Sequence, residues 1–203
     1  FYKGAPKKNW IVFYPIEKMF SKITDQLITI TNEDYKLATT KFYCSVNHIH
    51  GVGVDEKRYY PVNKLDKAKI REEMGFKKEQ KLILCVGELL PNKNQKMAIH
   101  AMKDIIKKYP DTQLLIAGNG SEKQNLEDEI ERCNLQNNIV MLGYVTNLEK
   151  YQSVVDIAVS CSKREGLPLN IVEAMLSGTP VVASVNRGHR ELIKNGKNGY
   201  LVK

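Results

Sequence analysis

The fold turns on residues 81–120: Lys81-Leu-Ile-Leu-Cys-Val-Gly-Glu-Leu-Leu-Pro-Asn-Lys-Asn94, a stretch from Gln95 to Pro110, then Asp111-Thr-Gln-Leu-Leu-Ile-Ala-Gly-Asn-Gly120. Two expected strands, 82–86 and 113–117, apolar throughout apart from Gln113, are each followed by a glycine. Between them Met97, Ala98, Ala101, Met102, Ile105 and Tyr109 recur at helical spacing. Unbroken apolarity, as opposed to alternation, marks strands buried on both faces, and a parallel return requires a crossover helix. The stretch therefore reads as strand, helix, parallel strand.

The same rhythm continues toward the C-terminus, with strands expected at 139–142, 155–160 and 180–183 and helices at 121–133, 148–152 and 168–177. Upstream, a basic amphipathic helix is expected over 64–74, stopped by Gly75. The class is α/β, a Rossmann-like doubly wound parallel sheet. Gly51-Val-Gly-Val-Asp-Glu-Lys-Arg-Tyr-Tyr-Pro61 breaks the rhythm with two glycines and a proline, and we place a domain boundary there, between 1–53 and 54–203. In the front piece, Pro15 predicts an extended lead from Trp10 into a short helix carrying Ile16, Met19, Phe20 and Ile23. A strand over 27–31, a helix capped by Asn32 and running to Thr40, and a strand over 41–49 follow.

The 203 residues carry 31 Lys and Arg against 23 Asp and Glu, a net charge of +8, with 42% hydrophobic residues. These proportions belong to an ordinary folded domain and exclude collagen-like, coiled-coil and wholly disordered chains. No run approaches the roughly 18 apolar residues of a membrane helix, and no secretory leader pattern is present. The lysines are dispersed beside Glu and Asp, so nucleic acid is not an expected partner. Cys44, Cys85, Cys133 and Cys161 are far apart and read as buried thiols of a reducing, cytoplasmic compartment. His48, His50, His100 and His189 lack metal-ligand spacing, so no metal and no cofactor is expected.

Ligands of open parallel sheets gather beyond the C-terminal strand ends, which directs attention to the loops there. These are Gly87-Glu-Leu-Leu-Pro-Asn-Lys93, Gly118-Asn-Gly120, Gly143-Tyr-Val145 and Ser162-Lys-Arg-Glu165-Gly-Leu-Pro168. Glu165 and Glu173 lie eight apart, one in a loop and one on the following helix. Pro168 suits the first turn of that helix, whose unpaired N–H groups, with Gly166, could take a phosphate. The two carboxylates would then flank it and accept hydrogen bonds from paired hydroxyls. As isolated residues they read equally as a strand end and a solvated helix position. Lys93, at a strand end, would place an ammonium in the same cleft; alone it is an ordinary surface lysine. The glycines match neither the dinucleotide fingerprint nor the P-loop.

In order along the chain stand Gly51-Val-Gly-Val-Asp55 with Tyr60-Pro61, Val86-Gly87 before Lys93-Asn94, Ala117-Gly-Asn-Gly120 and Leu142-Gly143. Glu165-Gly-Leu-Pro-Leu-Asn-Ile-Val-Glu173, Ser177-Gly-Thr-Pro-Val-Val-Ala183 and Asn195-Gly-Lys-Asn-Gly-Tyr-Leu-Val202 complete the set. Together they resemble the C-terminal half of family 4 (group 1) retaining glycosyltransferases, which have the two-domain GT-B fold. Phe1-Tyr-Lys-Gly-Ala-Pro6 and Arg187-Gly-His-Arg-Glu-Leu-Ile193 are similar, more narrowly, to bacterial capsular and exopolysaccharide enzymes.

The resemblance implies a nucleotide-sugar donor, commonly UDP-linked, with Glu165 holding sugar hydroxyls, Glu173 the ribose, and residues Gly166, Leu167, Pro168 and Leu169 the diphosphate. Lys93 would stabilise the departing diphosphate, and Gly118, Asn119, Gly143, Tyr144 and Val145 would border the base, with Gly87 and Glu88 beside the phosphates. The catalytic pair would be Lys93 and Glu165. Many members carry arginine where this chain has Glu88, which leaves Lys93 with more of the task unless Lys163 or Arg164 contributes, and which motivates the alternative of a non-catalytic nucleotide-sugar module. Residues 1–53 would be the last elements of an acceptor-binding N-terminal domain, and 54–203 a donor domain cut short at its C-terminus. Such a piece would not turn over by itself. The acceptor would be a glycan or lipid-linked sugar, and Trp10-Ile-Val-Phe13 offers a secondary contact with the inner face of a membrane.

Overall fold

Every apolar run named above from residue 82 onward forms a strand of one sheet in the computed structural model, which describes residues 7–203. The Phe1-Tyr-Lys-Gly-Ala-Pro6 motif lies outside the described residues. The chain divides into two compact units, the first ending at Gly53 and the second running from Val54 to Lys203.

The first unit contains α1 (Lys7–Phe20), β1 (Gln26–Thr29), α2 (Asn32–Lys41) and β2 (Ser45–His48), with β1 and β2 paired in parallel. Three expectations need correction here. Pro15 does not delay the first helix, because α1 runs through it; a proline inside a helix forfeits one hydrogen bond without forbidding the fold. The cap of α2 is Thr31, whose Oγ1 accepts the Asp34 N–H at 3.2 Å, so Asn32 is the first helical residue. The second strand starts at Ser45, not at Lys41, because α2 continues to Lys41. No residue of α1 is buried, and Ile11, Phe13, Met19 and Phe20 are all exposed.

The second unit contains α3 (Lys64–Glu73), β3 (Lys81–Val86), α4 (Gln95–Lys108), β4 (Thr112–Ala117), α5 (Lys123–Arg132) and β5 (Ile139–Gly143). It continues with α6 (Leu148–Val154), β6 (Ile157–Ser160), α7 (Leu169–Leu176), β7 (Val181–Ser184), α8 (Arg187–Leu192) and β8 (Tyr200–Val202). All six strands are parallel, in the order β5-β4-β3-β6-β7-β8. The order reverses between β3 and β6, the switch point at which doubly wound sheets open a crevice. Two elements were not foreseen, α8 and β8, because six and three residues are too short to show a period.

The core is apolar on both faces of the central strands. Ile83, Cys85, Leu114 and Ile116 pack with Ile99 and Met102 of α4 and Leu126 and Ile130 of α5. Leu82, Leu84 and Leu115 face the other way, toward Leu148 and Tyr151 of α6. Alternate residues of one strand thus enter opposite layers, which is why these runs are unbroken.

A buried arginine fixes the base of the sheet. Arg71 of α3 donates through Nε and Nη2 to the Val154 carbonyl, and through Nη1 to those of Lys78 and Gln80. Its Nη2 also lies 2.9 Å from Asp156 Oδ2, which accepts the Leu82 N–H at 2.9 Å. Burial pulls the Asp156 carboxyl upward, but the Leu82 N–H and the Arg71 guanidinium outweigh it and hold the group below its ordinary range. All four cysteines are free, and of these only Cys85 is buried; the other three are half-buried, so the expectation of uniformly buried thiols is too broad.

Candidate functional site

Three glycine-ended strands bring their loops together through the backbone. The Gly87 N–H donates to Ala117 O at 2.9 Å, Gly118 N–H to Gly143 O at 2.7 Å, and Leu89 N–H to Asn119 O at 2.9 Å. Gly118 has φ near +142°, and a Cβ there would overlap the Gly87 carbonyl oxygen. Only glycine permits that approach.

The loops enclose a cavity of about 510 Å³ at the C-terminal ends of β3, β4 and β5. Val86, Gly87 and Glu88 line it after β3, Ala117, Gly118 and Asn119 after β4, and Tyr144, Val145 and Thr146 after β5. Leu148 of α6 completes that side. The expected base-side residues Gly118, Asn119, Tyr144 and Val145 therefore meet Gly87 and Glu88 at one cavity, while Gly143 joins them through its carbonyl.

Lys93 and Glu165 meet directly. Lys93 Nζ donates to Glu165 Oε1 at 2.7 Å, with both side chains mostly shielded. Asn92 sets this up from both ends: its carbonyl accepts the Lys163 N–H at 2.8 Å, and its Nδ2 donates to Arg164 O at 2.9 Å. The Lys93 stem passes over Gly87, where an added Cβ would lie 3.6 Å from Lys93 Cδ. The lysine stem thus runs beside the cavity that Gly87 lines, and Lys93, Glu165 and Glu173 themselves stand outside its lining. From the other side, Arg187 Nε donates to Glu165 O at 3.2 Å. Gly188 lies so close that a Cβ would run into the Gly166 carbonyl and crowd Glu165. The Arg187-Gly188 step, quoted above only as a likeness, is thus a backing for the Glu165 loop.

Residues 166–169 form the approach to α7 and stand apart from the cavity lining. Pro168 is the N-cap residue, with ψ near 101°, and not the first helical residue as expected. Asn170 Nδ2 donates to Val86 O at 2.8 Å, tying the first turn of α7 to the end of β3. Glu173, one turn further, is half-buried and lies within electrostatic reach of Tyr59 and Arg58. Burial raises the Glu173 carboxyl above its ordinary value, with Tyr59 and Arg58 opposing the rise. Burial, then the neighbouring Glu173 charge, push the Tyr59 hydroxyl up to about 12.

Arg58 and Tyr59, which lie in the boundary stretch 51–61 and were not expected at the site, both line the cavity. Arg58 Nε donates to Glu149 Oε2 at 2.9 Å and Nη2 to Thr146 O at 2.7 Å. The Asp-x-x-Arg-Tyr turn was the available signal: an Asp before polar residues closes a local turn and thereby aims the side chains that leave it.

A second cluster lies between α4 and α5. Glu129 is buried and is held by Arg132, Lys96 and His100, with Cys133 Sγ at 3.5 Å. Arg132, Lys96 and His100 together keep its carboxyl well below the usual range. His100, Glu129 and Cys133 present ligand atoms within 4.8 Å of one another, an arrangement that sequence spacing could not show. Lys96 and Arg132 occupy the same carboxylate, which makes the cluster an ion-pair clamp between two helices.

The family model described as glycosyl transferases group 1 matches residues 66–203. The chain belongs to this family. It is 37% identical to the "Putative glycosyltransferase EpsD" of Bacillus subtilis over 205 residues, covering all of this chain and 54% of that protein. It is 29% identical to the "UDP-Gal:alpha-D-GlcNAc-diphosphoundecaprenol alpha-1,3-galactosyltransferase" of Escherichia coli, over 95% of this chain and 51% of that one. The structure of Anabaena Alr3699/HepE in complex with UDP and glucose superposes with a TM-score of 0.80 at 23% identity, over 93% of this chain and 52% of that one. The last likeness shows the GT-B type fold. The chain spans about half the length of the curated relatives it matches. No helix among the described residues is long and apolar enough to cross a membrane.

Proposed function

We propose that the protein is a retaining glycosyltransferase that moves a sugar from a UDP-linked donor to a glycan or lipid-linked acceptor in cell-surface polysaccharide synthesis, with residues 54–203 binding the donor. The observation that carries this reading is the Lys93–Glu165 pair, whose lysine stem crosses Gly87 of the strand-end cavity. UDP and glucose in the HepE complex, and the UDP-galactose named for the E. coli relative, support the choice of nucleotide.

In this proposal the base lies among Gly118, Asn119, Gly143, Tyr144 and Val145, and Glu173 accepts hydrogen bonds from the ribose diol. The diphosphate runs past Gly87 and the N–H groups of Gly166, Leu167 and Leu169 toward Lys93. Glu165 accepts from sugar hydroxyls and so fixes C1 opposite the acceptor. As the C1–O bond breaks, its electron pair goes to the diphosphate oxygen, and the Lys93 ammonium stabilises the charge that accumulates there. The acceptor hydroxyl adds to C1 and its proton goes to the departing diphosphate. Glu88 brings no positive charge to this path; Lys93 supplies it.

We further propose that residues 1–53 are the last elements of an acceptor-binding domain, which the exposed apolar residues of α1 support, and that the protein works in the cytoplasm. Contact of Trp10-Ile-Val-Phe13 with the membrane is the secondary expectation, checked by liposome sedimentation. The primary test is a UDP titration followed by amide chemical shifts or melting temperature. UDP should perturb residues 87, 118, 145 and 173, and Glu173→Ala should weaken the effect; a folded protein indifferent to UDP and UDP-sugars would sink the donor assignment.

A further inference from the structure

The loop that carries Glu165 is held by side chains that receive its carbonyls one after another. Asn94 Nδ2 donates to Cys161 O at 3.4 Å and Asn92 Nδ2 to Arg164 O at 2.9 Å, both from the stretch after β3. From the opposite side Ser184 Oγ donates to Ser162 O at 2.6 Å, Asn186 Nδ2 to the same oxygen at 2.9 Å, and Arg187 Nε to Glu165 O at 3.2 Å. Behind these last donors stands His189, fully buried and absent from the cavity lining. Its main-chain N–H donates to Asn186 Oδ1 at 2.9 Å, which turns the Nδ2 end of that amide toward Ser162. Its ring spans two strands: Nδ1 lies 2.5 Å from Ser184 O at the end of β7, and Nε2 lies 3.0 Å from Ser160 Oγ at the end of β6.

A carbonyl oxygen carries no hydrogen, so the contact with Ser184 O assigns the ring proton to Nδ1. Nε2 is then the acceptor and takes the Ser160 hydroxyl. Asn186 Nδ2, 2.9 Å from Nδ1, gives its hydrogen to Ser162 O instead. Burial lowers the imidazole pKa below its ordinary value, which keeps the ring neutral and this division of roles intact. A buried polar network in which each role is fixed admits one geometry, whereas an apolar contact in its place tolerates sliding. We propose that His189 is a positioning residue for Glu165: by fastening the end of β6 to the end of β7 it sets the direction in which residues 162–165 leave the sheet, and so aims the carboxylate that selects the sugar of the donor. This rests on the sugar-holding role given to Glu165 above. The Arg187-Gly188 step acts on the same loop by direct contact; His189 acts one layer deeper, through Ser184 and Asn186.

The test measures by calorimetry the affinities of UDP, UDP-glucose and UDP-galactose for the wild-type protein, Ser160→Ala, His189→Asn, their double variant and Glu165→Gln. Ser160→Ala removes the hydroxyl that meets Nε2. His189→Asn keeps an amide N–H near the Nδ1 position for Ser184 O and removes Nε2. We expect each to weaken the better-bound UDP-sugar about 5- to 10-fold, the size of one buried hydrogen bond, and to leave UDP unchanged. The double variant should be no weaker than either single one, because both cut the same contact. Equal losses for the UDP-sugar and UDP, or no loss for the UDP-sugar, would overturn the positioning role. If Glu165→Gln shifts the ratio of the two affinities and the other variants do not, the positioning role is wrong and the sugar role stands. If Glu165→Gln leaves the ratio unchanged, the sugar role fails and takes the selectivity assigned to His189 with it. Imidazole ¹⁵N spectra of the wild-type protein give an arm free of ligand and variant: at neutral pH Nδ1 should carry the proton and Nε2 none. A proton on Nε2 in its place would leave Ser184 O without its donor and overturn the proposal even where a variant does not fold.

Discussion

Two ion pairs stand at opposite ends of the same sheet and are built differently. At the start of β3, Arg71 and Asp156 have their polar atoms taken up by protein: three carbonyls on the arginine and the Leu82 N–H on the aspartate, in addition to each other. At the strand ends, the Lys93 ammonium has three donors and makes one hydrogen bond among the described residues, to Glu165. The first pair uses its capacity on the fold, whereas the second leaves donors open, as the diphosphate role proposed for Lys93 requires. Both are salt bridges of similar length, so distance alone does not distinguish a structural pair from the chemical one proposed for Lys93 and Glu165.

The distinction can be attacked from either side. Arg71→Ala should have the largest effect, a loss of about 3 kcal/mol in urea unfolding, since it leaves three carbonyls without their donor and Asp156 with only Lys67 and the Leu82 N–H. An Arg71→Ala protein as stable as wild type would refute the structural assignment. Lys93→Ala should do the converse in the whole protein, lowering sugar transfer by about 10²- to 10³-fold while moving the unfolding midpoint little. Gly188→Ala is an intermediate case. The new methyl meets the Gly166 carbonyl and Glu165, so donor affinity should weaken about 10-fold with a stability loss of about 1–3 kcal/mol; unaltered donor binding would show that the Arg187-Gly188 backing does not hold the Glu165 loop.

The smallest effects separate the two ends of the sheet through pH. Asp156 has a depressed carboxyl, so its contribution is present above the ordinary aspartate pKa of about 3.9 and is lost as pH falls through the depressed value. Asp156→Asn should therefore flatten the acid limb of the stability curve. Glu173 has the opposite sign. Its folded carboxyl is raised, so its contribution is fully present below the unfolded value and is lost as pH rises through the folded one. Glu173→Gln should then melt slightly higher than wild type at neutral pH, with the advantage vanishing in acid; a variant less stable at neutral pH would contradict this.

Much of this arrangement could be read from the residues. The sheet was legible because parallel strands buried on both faces leave unbroken apolar runs, and Lys93, Glu165 and the cavity glycines were legible because they come directly after those runs. Pro15 misled because a single helix breaker is weak evidence against an otherwise helical stretch. Arg58 and Tyr59 were hidden because their partners, Glu149 and Glu173, are far away in sequence and only the fold brings them near. The Glu129 clamp was hidden for the same reason, since His100 and Glu129 lie on different helices. Local periodicity reports elements; it carries no record of which helix faces which.

The backbone hydrogen bonds among the glycine-ended loops bear on how this pocket can change over time. Its frame is held by main-chain atoms of residues 87, 89, 117, 118, 119 and 143, which substitutions elsewhere than at the glycines leave in place unless they bring in proline. Side chains at 88, 144 and 146 can therefore be exchanged without dismantling the receptacle. A lineage can retune what the pocket prefers while keeping where it binds, and an engineer seeking a new donor has the same freedom: vary the rim, and leave the glycines alone.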